Sequence, residues 1–181
     1  MERSVFLTFD DGPHPQVTPY ILDLLKQYDC KATFFCVGEN IEKHPEIFEQ
    51  ILKEGHLVGN HGYHHLNGWK TSLKNYVANV LEAQKLYPFK LFRPPYGRIG
   101  LRQYLQLKRK YQIVFWDILS YDFNPNLNIE LRLQKLKKRT KPKSIIVFHD
   151  SLKAKKQLQQ LLPPYLEYLK SVGLISRELT V

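Results

Sequence analysis

The sequence predicts an α/β protein built on a parallel sheet. Three observations carry this: short apolar runs alternate with amphipathic stretches along the whole chain; each run but the last is followed by helical spacing; and polar clusters fall just after the runs. The 181 residues suit one domain, 1–181, long enough to bury a core without disulfide staples. No repeat or linker divides it.

Residues 4–9 (SVFLTF) read as a buried strand. Residues 17–28 place Ile21, Leu24, Leu25 and Tyr28 on one helical face. Residues 32–37 (ATFFCV) form a second strand. A helix over 45–53 turns Ile47, Ile51 and Leu52 inward and stops at Gly55. Residues 56–60 are a short third strand, 72–86 a helix, 90–93 a short strand and 101–110 a helix. Residues 112–119 (QIVFWDIL) read as a central strand, 127–139 as a helix and 144–149 (SIIVFH) as a strand. A helix over 153–169 is expected to break or bend at Pro163–Pro164, and 174–181 to finish as a strand.

The formal net charge of +10 favours anionic partners: nucleic acid, anionic lipid or acidic polysaccharide. The basic residues are scattered, with short clusters at 108–110, 135–143 and 153–156, and no nucleic-acid motif accompanies them. The 13% aromatic content fits core packing or a sugar-binding cleft. Cys30 and Cys36 imply buried free thiols rather than a disulfide framework. No run of 18 apolar residues offers a transmembrane span. A strand begins within three residues of Met1, which leaves no room for a signal peptide. Read literally this is a cytoplasmic chain; a preceding export segment would change that. The sequence does not fix an oligomeric state.

Barrels and open sheets of parallel strands both place chemistry at the C-terminal strand ends. The polar clusters fall there. Asp10–Asp11 closes the first strand, His61 and His65 follow the third, and Arg93–Pro94–Pro95–Tyr96–Gly97 follows the fourth. Asp122 lies beyond the central strand, and His149–Asp150 closes the next. Adjacent carboxylates resist burial unless a cation neutralises them. His61 and His65 are four apart, so one helical turn would put both imidazoles on one side, with His64 pointing elsewhere. Two His and one Asp make a three-ligand divalent site with an open position. Zn²⁺ suits the donors, and Co²⁺, Mn²⁺ and Fe²⁺ are compatible. Such a cation lowers the pKa of its water to about 7. One of Asp10 and Asp11 would then ligate while the other serves as base. His149 would protonate a leaving amine or alkoxide, tuned by Asp122 or Asp150. Arg93 can hold a carboxylate.

The motifs TFDDGP (8–13), His61-x-x-x-His65, RPPYG (93–97), Asp122 and VFHD (147–150) together resemble the polysaccharide deacetylase family, the NodB homology domain of carbohydrate esterase family 4. The resemblance runs from Val5 to about Asp150. It implies a distorted parallel (β/α) barrel of about seven strands and a divalent metal, usually Zn²⁺, on Asp11, His61 and His65. It also implies Asp10 as base oriented by Arg93, His149 as acid tuned by Asp122, and the Tyr96 N–H as oxyanion donor. Val147 would line the acetyl-methyl pocket, with Pro95, Tyr96 and Phe123 as further substrate-binding residues. Gly62, Leu119, Phe123 and Val147 depart from the family's usual Ser or Thr, Asp, Trp and Leu. These departures bear on the cleft wall and substrate class, not on ligands, base or acid.

The function expected is N-deacetylation of N-acetylhexosamine in a glycan such as peptidoglycan or chitin oligomers, the glycan being acidic if the net charge reflects it. O-deacetylation of an acetylxylan-like polymer, a carbohydrate-binding protein on the same scaffold, and hydrolysis of a non-sugar amide are the alternatives. Trp69, Tyr96, Trp116 and Tyr121 could offer stacking faces for sugars. Trp116, on a predicted strand, is expected in the core.

Overall fold

The computed structural model describes residues 3–180. Eight strands form one sheet: β1 (Ser4–Asp10), β2 (Ala32–Cys36), β3 (Leu57–Asn60), β4 (Leu91–Phe92), β5 (Gln112–Ile113), β6 (Ile118–Leu119), β7 (Ile145–His149) and β8 (Ile175–Ser176). The order is β5-β4-β3-β2-β1-β7-β6, every pairing is parallel, and β8 pairs with Ser4 and Val5 of β1. The helices are α1 (Thr18–Gln27), α2 (Gly38–Lys43), α3 (Pro45–Lys53), α4 (Leu73–Gln84), α5 (Leu101–Leu107), α6 (Ile129–Arg139) and α7 (Lys155–Ser171).

The two edges of this sheet, β5 and β6, are nearly consecutive in the chain. Only residues 114–117 separate them. Seven strands laid flat would hold their edges about 29 Å apart at 4.8 Å spacing. The five steps from Ile113 to Ile118 reach at most about 18 Å. The sheet therefore curls until its edges meet this bridge, which gives a distorted half-barrel. The same constraint divides the strand expected over 112–119. Val114 donates to Phe92 O at 2.9 Å on one edge, whereas Asp117 donates to Ile145 O at 3.0 Å on the other. A single segment cannot pair with both edges as one continuous strand.

The period of two along β1 sorts its side chains. Val5, Leu7 and Phe9 join the large core beneath the helices. Phe6 points the other way, towards a small interior cluster of Phe35, Leu91, Val114 and Leu179. Thr8 and Asp10 share that interior side and meet Arg93 there.

One helix adds to the elements expected, and two further expectations are corrected. α2 has too little periodicity to be seen in sequence, with Gly38 and Ile41 its buried residues. α7 runs continuously through Pro163 and Pro164 instead of breaking. The prolines deprive Gln159 and Gln160 of helix partners, but both residues are exposed, so water can serve their carbonyls. Leu158, Leu161, Leu162, Tyr165, Leu166 and Leu169 are buried on the inner face. At about 1.5–3 kcal/mol per side chain, their burial outweighs about 3 kcal/mol per proline. The last expected strand shrinks to Ile175–Ser176, and Val181 lies outside the described residues. Cys30 and Cys36 are free and buried, as expected.

β8 wedges in below β2 through Ser176, whose carbonyl accepts from Lys31 N at 3.0 Å. Ser176 Oγ donates to Lys31 O at 2.7 Å and accepts from Leu7 N at 3.2 Å, fully buried. Ser176→Ala should therefore destabilise the protein by about 2 kcal/mol, the cost of stranding a buried donor and acceptor. Urea denaturation measures this, and a change below about 0.5 kcal/mol would show that β8 is not held this way.

Candidate active site

Parallel register brings the strand-end residues to one mouth. Asp10, the last residue of β1, lies level with His149, the last of β7. His61 follows β3 and Arg93 follows β4, with Asn60 and Phe92 paired between them. Asp122 sits three residues past β6. Asp10, Asp11, His61, His65, Tyr96, Phe123, Val147 and His149 line one cavity of about 590 Å³. Pro95, expected to bind substrate, is buried and is not among the residues that line it.

Backbone conformation aims these groups. Four of the six non-glycine residues at positive φ among the described residues belong here: Asp11 (85°), His65 (53°), Tyr96 (60°) and Tyr121 (58°). Such conformations cost of order 1 kcal/mol each and need enforcement by their surroundings. For Asp11 the enforcement comes from Asn40, whose Nδ2 donates to Asp11 O at 2.7 Å, and from Asp150. Asp150 accepts from Gly12 N at 2.8 Å and from Thr18 Oγ1 at 2.7 Å. It makes these bonds rather than serving His149, the alternative left open by the sequence. Burial pushes the Asp150 carboxyl up to about 7 against those hydrogen bonds. A Cβ on Gly12 would stand 1.8 Å from Asp150 Oδ2, so no side chain fits there.

Asp11, His61 and His65 present three donor atoms within 4.8 Å of one another. Asp11 Oδ1 is 3.1 Å from His65 Nε2 and 3.6 Å from His61 Nε2. A tetrahedral ion with ~2.1 Å bonds spaces its ligands about 3.4 Å apart, so the trio fits a small divalent cation. His61 Nδ1 lies 2.8 Å from Arg93 O. A carbonyl only accepts, so Nδ1 carries the proton and Nε2 keeps its lone pair for a metal. Burial holds His61 down at about 4, against the charges of Asp10 and Asp11, so it is neutral at pH 7. Burial alone would raise the Asp11 carboxyl, but His65, His149 and His61 carry it well below the usual carboxylate range. His64 is exposed, with Nδ1 3.4 Å from Glu39 Oε2, and stands apart from the trio.

The convergence of His61 and His65 does not come from a helical turn, as their spacing suggested. Gly62 at φ 79° and His65 at φ 53° reverse the chain in a loop. Asn60 Oδ1 accepts from Gly62 N at 2.7 Å, and Asn79 Oδ1 accepts from Tyr63 N at 3.1 Å. The first two N–H groups of α2, on Gly38 and Glu39, hold the carbonyls of Gly62 and Tyr63. These contacts brace the loop without a hydroxyl at position 62.

Asp10 accepts from Arg93 Nη1 at 2.7 Å, and Asp10 Oδ2 lies 4.0 Å from His61 Nε2. Across the cavity, Asp122 Oδ1 meets His149 Nδ1 at 2.7 Å, and Asp122 Oδ2 accepts His149 N at 2.8 Å. Ser120 Oγ donates to the same carboxylate at 2.8 Å. Burial would lower His149, but the Asp122 charge and hydrogen bond raise it to about 9. The Tyr96 ring meets His65 edge-on at 4.6 Å, and its N–H makes no hydrogen bond among the described residues.

Arg98, Ser151 and Lys153 also line the cavity and were not singled out from the sequence, and Trp116 and Leu119 join them. Trp116 is half-buried in the cavity wall rather than in the core, because it rides on the bridge between the sheet edges. Ser151 and Lys153 follow β7, so the strand-end rule could have found them. Leu119 was noted only as a departure from the family pattern.

Two measurements follow from this geometry. The stability contributed by the His149–Asp122 pairing is fully present below the ordinary histidine value of 6.5 and is lost as pH rises through about 9. In the metal-free Asp122→Asn protein His149 should titrate near or below 6.5 by NMR, whereas a midpoint still near 9 would show that other groups hold its proton. Gly12→Ala should weaken Zn²⁺ binding about 10–100-fold in chelator competition, because Asp11 loses its brace; unchanged affinity would remove Asp150 from that role.

The family model for polysaccharide deacetylase matches residues 1–116. A peptidoglycan-N-acetylglucosamine deacetylase of Bacillus cereus is 35% identical over 183 residues, covering 95% of this chain and 84% of its own. A chitooligosaccharide deacetylase of Azorhizobium caulinodans is 32% identical, covering 82% of this chain and 74% of its own. The solved structure of peptidoglycan deacetylase PdaC from Bacillus subtilis superposes with a TM-score of 0.87 at 29% identity, over 98% of this chain and 88% of that one. A family match over more than half of the chain, and a relative this similar along nearly its whole length, place the chain in the polysaccharide deacetylase family.

Proposed function

We propose that this chain is a metal-dependent N-deacetylase acting on N-acetylhexosamine units of a glycan, with peptidoglycan and chitin oligomers as the substrate class. The observation that supports it most is the union, on one cavity, of the Asp11–His61–His65 trio, the Arg93-held Asp10 and the Asp122-held His149. The substrates named for the relatives point the same way.

Asp11, His61 and His65 would hold the cation. Zn²⁺ suits these donors, and Co²⁺, Mn²⁺ and Fe²⁺ are accepted by the same set. When bound, the cation polarises the acetyl carbonyl and lowers the pKa of water to about 7. Asp10 takes the proton of the attacking water at Oδ2, because Arg93 occupies Oδ1. The N–H of Tyr96 donates to the oxyanion as the carbonyl becomes tetrahedral. His149, with Nδ1 bound to Asp122 and its proton kept to about pH 9, releases a proton from Nε2 to the leaving nitrogen. Leu119, Phe123 and Val147 form an apolar wall that takes the acetyl methyl and excludes water.

The test is acetate release from N-acetylglucosamine oligomers, peptidoglycan and acetylxylan by chelator-stripped protein reloaded with Zn²⁺ or Co²⁺. Release should depend on metal and fall about 10²–10⁴-fold in Asp10→Asn. His149→Ala should harm amide cleavage more than cleavage of an activated ester, whose leaving group needs no proton. Release from acetylxylan alone would favour the O-acetyl reading. Folded, metal-loaded protein that releases nothing would favour a binding protein.

A further inference from the structure

Two exposed cations at the cavity play no part in the chemistry above. Arg98 follows β4 and Lys153 follows β7; both line the cavity. β4 neighbours β5, and β7 neighbours β6, so the two residues flank the 114–117 bridge that carries Trp116. Each lies over an aromatic ring. The Arg98 guanidinium is 5.1 Å from the centre of Trp69, and Lys153 Nζ is 5.5 Å from that of Phe123. Trp69 is 69% exposed, so its ring is largely open to solvent. Neither cation makes an ion pair among the described residues. The carboxylates lining the cavity are Asp10, held by Arg93, and Asp11, facing His61 and His65.

Aromatic faces offer stacking surfaces for sugar rings, and cations held beside them select anionic substituents. The interior of the site has no carboxylate left for these cations. We infer that Arg98 and Lys153, with Trp69, Trp116 and Phe123, form a subsite for a carboxylate-bearing sugar adjacent to the N-acetylhexosamine being deacetylated. The substrate is thus an acidic acetylated glycan rather than a neutral one, an inference that rests on the N-deacetylase reading. The net charge of +10 acts in the same direction at longer range. Arg98 and Lys153 are specificity residues: they bind the chain beside the reacting unit and leave the chemistry to the groups beneath.

The experiment compares peptidoglycan glycan strands, freed of peptide, with the same strands after their lactyl carboxylates are converted to neutral amides. The acetyl groups are unchanged between the two. With Zn²⁺-loaded protein, KM on the acidic strands should be about 10-fold lower at similar kcat, and about 0.5 M salt should erase the difference. Arg98→Gln and Lys153→Gln should each raise KM about 3–10-fold on acidic strands and leave amidated strands unchanged. Both residues are exposed, so these variants should fold. Equal KM for the two glycans, or variants that impair both alike, would overturn the subsite while leaving the deacetylase reading intact. Should neither glycan release acetate, the deacetylase reading fails. Calorimetric binding of the two glycans to the same metal-loaded protein then decides the subsite: preference for the acidic strands that Arg98→Gln removes supports it, and equal binding overturns it.

Discussion

A guanidinium with no access to water holds the mouth of the barrel together. Arg93 is fully buried. Its Nη1 donates to Thr8 Oγ1 and Asp10 Oδ1, both at 2.7 Å, and its Nε and Nη2 reach the carbonyls of Val114 and Phe115 at 3.4 and 3.3 Å. The ring of Phe35 lies 4.0 Å beneath it. Its own carbonyl accepts His61 Nδ1. One residue thus ties the central strand, the edge bridge and the Asp11–His61–His65 trio. Burying such a charge is expensive, and removing a partner from a buried pair typically costs 3–5 kcal/mol. The expense identifies a group kept for positioning. Arg93 holds Asp10 Oδ1 and leaves Oδ2 clear of that bond, 4.0 Å from His61 Nε2.

The curl of the sheet makes that arrangement reachable. An open seven-stranded sheet would leave the loops after β4 and β7 far apart. The short bridge over 114–117 draws them to one cavity and supplies Trp116 as its wall. The left-handed residues Asp11, His65, Tyr96 and Tyr121 then turn side chains and N–H groups inward at strand ends where extended backbone would carry them past the site. Rigid strands set the positions, and strained loops set the directions. The braces on those loops, Asp150, Asn60, Asn79 and the first turn of α2, are as much part of the site as the groups they hold.

Much of this was legible in the sequence because the alternation of apolar runs and helical stretches fixes which strand ends share a mouth. Asp10, His61, Arg93, Asp122 and His149 could be placed together from that rule alone. Direction was not legible. His61 and His65 met the spacing of a helical turn, yet a loop through Gly62 brings them together. Trp116 sat in an unbroken apolar run that hid the change of sheet edge within it. Arg98 and Lys153 look in sequence like any solvated cations, and only the folded chain sets them beside aromatic rings on the cavity. The short helix α2 offered two buried positions, too few for a period.

Two histidines of the cavity are driven to opposite protonation states. His61 faces a carbonyl through Nδ1, and burial holds it at about 4. His149 faces a carboxylate through Nδ1, and Asp122 outweighs burial to hold it at about 9. Between those values one imidazole is neutral and the other charged, a division that suits the first to ligate a cation and the second to deliver a proton within a single cavity. The same divergence sets the acid side of stability. As pH falls below 6.5, unfolded chains take up a proton that His61 refuses until about 4, so acid favours unfolding there. His149 acts in the opposite sense, stabilising the folded chain below 6.5 and releasing that stability as pH rises through about 9. Burial sets His61 low against the Arg93 carbonyl and the Asp10 and Asp11 charges, whereas the Asp122 carboxylate, 2.7 Å from Nδ1, sets His149 high against its own burial.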